Sequence, residues 1–234
     1  MSTVPAGVRM TGAGDVAATR VVLVRHGEAA CNVEGVVGGR RGCTGLTHRG
    51  AAQVAALARR LARTGELAGV AALYASRLPR AIETATMLAP ALDCWRDGPA
   101  LEVMTDCGLC ELHPGEADGL RWEELATRFG EPDWDVDPAH PLSPGGESWS
   151  SFVDRAAAAV EGVADAHRRG LVVVACHAGV VEATMLRFLG VGPVRRRLGL
   201  RTRHASLTVW ARGEGEWGTG TWLLERYNDV ATED

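Results

Sequence analysis

The sequence predicts an α/β domain in three layers, with a mostly parallel central sheet and helices on both faces. Two observations carry that expectation. Short apolar runs rich in β-branched residues, Val21–Val24 and Leu171–Ala175, read as strands buried on both faces. Amphipathic segments alternate with them, carrying Val54, Leu57 and Leu61, or Phe152, Ala156, Ala159, Val160 and Val163, at helical spacing. With no internal repeat, the 234 residues read as one domain over 20–227, between a flexible N-terminal tail (1–19) and a C-terminal tail (228–234). Each of the two runs ends on an imidazole: Arg25-His26-Gly27-Glu28 follows the first, Cys176-His177-Ala178-Gly179 closes the second. In open α/β sheets the crevice beyond the carboxyl ends of the strands binds ligands, so both histidines are assigned to one shared site. Gly27 is expected to let the chain turn sharply there and a ligand approach the backbone.

The elements follow in order. Ala29–Gly45, glycine-rich and containing Arg40 and Arg41, reads as a loop. Thr47 caps a helix that Gly65 closes. Val70–Ala75 is the second strand, and Pro79 suits the first turn of a helix running to about Leu88. A third strand is expected at Leu92–Trp95. Residues 112–147, rich in Pro, Gly, Trp and acids, read as a lid-like insertion with one helix at Arg121–Phe129. Ser148–Arg168 and Val180–Leu189 read as helices. Ala205–Ala211 and Trp217–Tyr227 read as strands joined at Gly213–Glu216.

Composition narrows the chemistry. The net charge of −4 argues against a nucleic-acid partner. Every basic residue is Arg and none is Lys, which excludes a Walker A loop, a Schiff-base lysine and a pyridoxal phosphate site. Six cysteines do not make a disulfide scaffold of a chain this size. Residues 1–19 lack the apolar core of a secretory signal, and no run reaches the roughly 20 apolar residues of a membrane span. The expected compartment is the cytoplasm, with no membrane partner; a homodimer is compatible with the sequence.

Arg25, His26, Arg80, His177 and Glu111 suit phosphate chemistry. A phosphomonoester carries nearly two negative charges, with a second pKa of about 6. Guanidinium forks match its oxygens bidentately. An imidazole with a pKa near 6.5 is largely neutral at pH 7 and can attack phosphorus while a second donates to the non-bridging oxygens. A carboxylic acid supplies the leaving-group proton. With this much positive charge no metal or other cofactor is required.

These residues sit in motifs that resemble the histidine phosphatase superfamily, which includes the cofactor-dependent phosphoglycerate mutases. Leu23-Val-Arg-His-Gly-Glu28 with Asn32 is similar to its signature. Gly45-Leu46-Thr47 with Gly50, Ser76–Thr84 with Arg80, Leu109-Cys110-Glu111, and Pro144–Ser148 with His177-Ala-Gly179 fall in the family's order. The resemblance spans about residues 20–211 and implies a phosphoglycerate mutase-like fold. It also implies His26 as nucleophile, Arg25 and Arg80 as phosphoryl clamps, and Asn32 as a phosphate contact. His177 would stabilise the transition state, and Glu111 would be general acid and then base. Cys43 stands where an acidic residue is common, Ala178 replaces a frequent glycine, and His204 replaces a frequent Asn.

The resemblance leaves two activities. Mutases hold a phosphoglycerate carboxylate with basic residues of a longer insertion; here Arg121 and Arg128 face Glu116, Asp118, Glu123, Glu124, Glu131, Asp133, Asp135, Asp137 and Glu147. An acidic lid repels a small polyanion, so the expectation is a phosphatase for a small-molecule phosphomonoester, with mutase-type transfer as the alternative. Trp122, Trp134 and Trp149 either stack on a sugar phosphate or nucleotide or anchor the insertion. Glu116 and Asp118 are alternative proton donors to Glu111. Cys107-Gly-Leu-Cys110 with His113 allows a metal or redox module, although one CxxC falls short of the four ligands zinc takes. An inactive binding scaffold disagrees with retention of all five core groups. His48 and His167 read as solvated, and Arg195–Arg197 as a solvated basic run.

Overall fold

The structure, a computed structural model, describes residues 18–191, 200–215 and 218–231. Arg195–Arg197, part of the expected hairpin turn and most of both tails lie outside them. Six strands form one sheet in the order β3-β2-β4-β1-β5-β6. They are β1 (Thr19–Arg25), β2 (Val70–Ser76), β3 (Val103–Asp106), β4 (Leu171–Cys176), β5 (Ser206–Gly215) and β6 (Gly218–Val230). The first four run parallel, and β5 and β6 add an antiparallel edge. Thr19 thus belongs to the sheet rather than to the tail, and β6 runs three residues past Tyr227.

Strand periodicity sorts the core into two faces. Val21, Leu23, Val172 and Val174 pack against α5 (Trp149–Ala166) and α6 (Ala178–Phe188). Val22, Val24, Leu73 and Val173 pack against α2 (His48–Thr64) and α3 (Pro79–Asp93). The three-layer arrangement expected from the sequence is the one observed. Thr47 caps α2 by accepting the Gly50 N–H at 2.9 Å, and Gly65 ends it in the left-handed region. Ser148 caps α5 in the same way, accepting the Ser151 N–H.

Three local expectations fail for physical reasons. No strand forms at Leu92–Trp95: α3 continues through Pro90 to Asp93, because Leu88, Ala91 and Leu92 are core residues whose burial outweighs one lost helix bond. The third strand is Val103–Asp106, a four-residue edge with no fully buried position and hence no clear alternation. Within Ala29–Gly45, Ala30–Glu34 forms a short helix, α1, closed by Gly35.

The insertion is part of the core on the α5 face. Ala117, Leu125, Trp134 and Leu142 are buried there, and α4 (Trp122–Phe129) lies on it. Trp134 stacks on Trp149 with ring centroids 5.8 Å apart and donates its Nε1–H to the His140 carbonyl. These two tryptophans anchor the insertion; only Trp122 is left exposed. His48 is solvated, whereas His167 is half-buried against the Tyr74 hydroxyl at 2.9 Å.

Candidate active site

Register alone brings the two imidazoles together. Arg25 of β1 lies opposite Cys176 of β4, so the next residue of each strand, His26 and His177, leaves the sheet at the same level. Their ring centroids are 5.1 Å apart, close to the roughly 4.8 Å spacing of neighbouring strands. Both rings are buried. Desolvation, then the guanidiniums of Arg80 and Arg25, hold His26 well below the ordinary imidazole value; desolvation, Arg80 and His26 do the same to His177.

Hydrogen-bond partners assign the tautomers. His26 Nδ1 lies 2.6 Å from the Gly27 carbonyl, which can only accept, so Nδ1 carries the proton. Nε2 keeps its lone pair and accepts the Arg80 Nε–H at 3.1 Å. His177 is arranged the other way round. The Ser76 hydroxyl, at the end of β2, accepts the Leu78 N–H and meets His177 Nε2 at 2.6 Å, a pair in which either atom can donate. His177 Nδ1 is buried without a partner.

Arg80 stands in the first turn of α3, behind Pro79, and its Nη1 donates to the Gly38 carbonyl at 2.7 Å. Arg25 donates to the Thr202 carbonyl and, at 2.8 Å, to His204 Nε2, while its Nε is buried without a partner. Burial pushes the Arg25 pKa down from the free guanidinium value, with Glu111 acting against it. Desolvation and the Arg25 charge lower His204 to about 4, so His204 is neutral and orients Arg25 as an acceptor.

Glu111 follows the single 3-10 turn Cys107–Leu109 and reaches across to α6, where its Oε2 accepts the Gly179 N–H at 3.1 Å. A Cβ at position 179 would lie 2.2 Å from Glu111 Oε1, so this approach requires glycine. Gly27 serves a different purpose from the expected one: a Cβ there would meet the Gly50 carbonyl of α2 at 2.4 Å. Its lack of a side chain admits the helix, not a ligand.

A cavity of about 530 Å³ opens over these groups, a size suited to a small ligand. Arg25, His26, Asn32, Arg80 and Glu111 line it; His177 lies behind, wholly enclosed. Asn32 contributes from α1, its Oδ1 accepting the Ala29 N–H. Neither alternative acid lines the cavity. Asp118 instead accepts the Arg41 and Gly42 N–H groups, and Glu116 is exposed. Trp122, Trp134, Trp149, Glu131 and Glu182 are also part of the wall. Glu182 was not singled out from the sequence; it lies one helical turn beyond Ala178 on α6, and that spacing is the only signal it carries. Two other clefts, each of about 510 Å³, hold none of these groups.

A profile of the histidine phosphatase superfamily (branch 1) matches residues 21–229. The chain belongs to that superfamily. It is 32% identical over 218 residues to a metal-independent phosphoserine phosphatase of Arabidopsis thaliana, covering 91% of this chain and 82% of that one. Phosphoglycerate mutase-like protein 4 of the same plant is 30% identical over 93% of this chain and 88% of its own. Among solved structures, a mycobacterial glucosyl-3-phosphoglycerate phosphatase bound to VO3 superposes with a TM-score of 0.71 at 25% identity. That match covers 91% of this chain and all of the other. The phosphatase expectation, rather than the mutase one, is the better supported by these relatives.

Proposed function

We propose that the protein hydrolyses a small phosphomonoester through a phosphohistidine on His26, without a metal or other cofactor. One observation carries the reading: of two adjacent buried imidazoles beside two guanidiniums, His26 presents a lone pair on Nε2 and His177 an unpartnered Nδ1, which carries an N–H when the Ser76 hydroxyl donates to Nε2. His26 Nε2 attacks phosphorus as the ester P–O bond breaks, and Glu111 gives its proton to the leaving alkoxide. Arg80 exchanges its bond to His26 Nε2 for a phosphoryl oxygen, Arg25 holds a second oxygen, and His177 donates Nδ1–H to the charge that develops. Asn32 adds a contact at the rim. In the second half, Glu111 takes a proton from water, the water oxygen bonds to phosphorus, and the P–N bond breaks.

The wall also bears on the substrate. Glu111 and Glu131 line the cavity that takes the alcohol half, which favours a neutral or ammonium-bearing alcohol over a second anion. Phosphoserine, the substrate named for the plant relative, and sugar phosphates are therefore the first esters to test. Trp122, Trp134 and Trp149 all line the cavity, and Trp122, the exposed one, is the first of them to test for stacking. Phosphate release should exceed that from phosphoglycerates, persist in chelator and vanish in His26→Ala. Turnover of phosphoglycerates alone, with isomerisation, would sink the phosphatase reading.

The compartment in this proposal is the cytoplasm, where reduced thiols such as the six free cysteines persist. None of the described helices is long and apolar enough to cross a membrane. A homodimer would use the edge strand β6, where Leu223 and Leu224 are exposed. Light scattering of the wild type and of a Leu223→Lys variant tests that surface.

A further inference from the structure

Behind Glu111, away from the phosphoryl groups, the chain assembles a second chemical cluster. The backbone turn Cys107–Leu109, closed by the Cys110 N–H on the Cys107 carbonyl at 3.0 Å, brings two thiols to one side. His113 joins them: its Nε2 lies 3.5 Å from Cys107 Sγ, and all three ligand atoms lie within 4.8 Å of one another. We propose that Cys107, Cys110 and His113 bind one thiophilic divalent cation, zinc by the chemistry of the donors, with water as the fourth ligand.

Three features support a built site over a chance grouping. Zinc bonds of about 2.0–2.3 Å place neighbouring tetrahedral ligand atoms roughly 3.5 Å apart, the separation Cys107 and His113 already have. The other nitrogen of His113, Nδ1, lies 3.5 Å from Glu147 Oε2, so the ring stands between the thiol and a carboxylate. That is the outer partner a metal-bound histidine takes. Glu147 is itself held by Arg155 in a two-pronged pair, both bonds 2.7 Å. The same guanidinium donates to the carbonyls of Cys107, Gly108, Cys110 and Glu111. The ligand-bearing backbone is thus fixed before any ion arrives, and Glu147 offsets the charge of Arg155. Cys110 is buried while Cys107 and His113 are half-open, which leaves an entry path and room for water.

The other buried thiol near a second cysteine is a poorer candidate: Cys31 Sγ lies 4.0 Å from Arg80 Nη1, a charge that repels cations. The stretch 107–114 contributes Glu111, Leu112 and Pro114 to the cavity wall, and none of the three proposed ligands. The ion would therefore brace the chain on both sides of Glu111 without touching the phosphoryl group. Binding changes no oxidation state. Two S–H bonds break, two metal–sulfur bonds form, and two protons pass to the buffer.

The full-length protein, reduced and stripped of metal, is titrated with Co²⁺ while thiolate-to-cobalt absorption is followed; zinc is then added in competition, with proton release measured. One equivalent of Co²⁺ should saturate the band with release of two protons, and zinc should then displace it with no further release. Cys107→Ser should halve the band, and His113→Gln should weaken binding at least tenfold, each with an unchanged circular dichroism spectrum. Cys31→Ser should leave the band as it is. Absence of a thiolate band in the wild type, or a full band in the Cys107→Ser/His113→Gln double variant, would overturn the assignment. Turnover by metal-free protein tests the phosphatase reading separately and has no bearing on this one.

Discussion

The carboxyl ends of β1 and β4 carry the same side chain at the same level of the sheet, yet the two sites are chemically opposite. Both imidazoles are buried, and both are held neutral at pH 7 by desolvation and nearby guanidiniums. At β1 the Nδ1 proton of His26 is engaged by the Gly27 carbonyl and the lone pair of Nε2 faces a cation. At β4 Nε2 is engaged by the Ser76 hydroxyl and Nδ1 is left unpartnered. In the proposed mechanism, with the Ser76 hydroxyl donating to His177 Nε2, one end attacks and the other donates. The neighbour on the far ring nitrogen decides the role, not the histidine itself.

The severest way to break this comparison is to remove the attacking end. His26→Ala should lower turnover of any accepted phosphomonoester by at least about 10⁴-fold, as expected when a nucleophile is lost. Rapid quench with labelled substrate should trap phosphohistidine in the wild type and none in the variant. Glu111→Gln comes next, at about 10²–10⁴-fold. Its deficit should shrink for esters with acidic leaving groups such as p-nitrophenol, because those depart without a proton. An equal deficit across leaving groups would remove Glu111 from the acid role.

How much of this could be read from the chain depends on how local the cause is. His26 and His177 were legible because each directly follows a buried strand, and Arg25 because it ends one; a position at or just beyond a strand end fixes where a side chain goes. Arg80 was legible through Pro79, which announces the helix turn that carries it. The orienting partners were not. Ser76 reaches His177 across 101 residues, and the Thr202 carbonyl and His204 reach Arg25 across 177 and 179. Such pairings are set by sheet order, and sequence spacing does not reveal it. Val103–Asp106 escaped for a related reason: an edge strand with no buried position leaves no periodic trace. Pro90 misled in the opposite direction, because a local breaker was overruled by core burial on either side of it.

The donating end gives a smaller effect. His177→Ala should lower kcat by about 10²–10³-fold, the loss typical of one preorganised donor to developing charge. Phosphohistidine should still form, slowly. Folding adds a pH readout shared by both ends. His26 and His177 are pushed well below 6.5 in the folded chain, so below that pH the unfolded chain binds more protons than the native one. Stability should therefore be level above about pH 6.5 and fall as the solution becomes more acidic. Melting curves of wild type and His177→Gln at pH 5 and 7.5 check this, the variant showing the shallower loss.

Ser76→Ala probes the comparison most finely, because it leaves both rings in place and removes only the group that distinguishes them. Without the hydroxyl, nothing holds the His177 proton on Nδ1, and the neutral ring divides between its two tautomers. A net hydrogen bond of about 1 kcal/mol corresponds to a rate deficit of roughly five- to tenfold. That deficit should appear in kcat with KM little changed, since the bond to be lost is one that strengthens as charge develops on phosphorus. Ser76→Thr restores the hydroxyl and should recover most of the rate. If Ser76→Ala instead matched His177→Ala, Ser76 would be holding the ring's position as well as its proton. If it cost nothing, the contrast between the two strand ends would have to come from the guanidiniums alone.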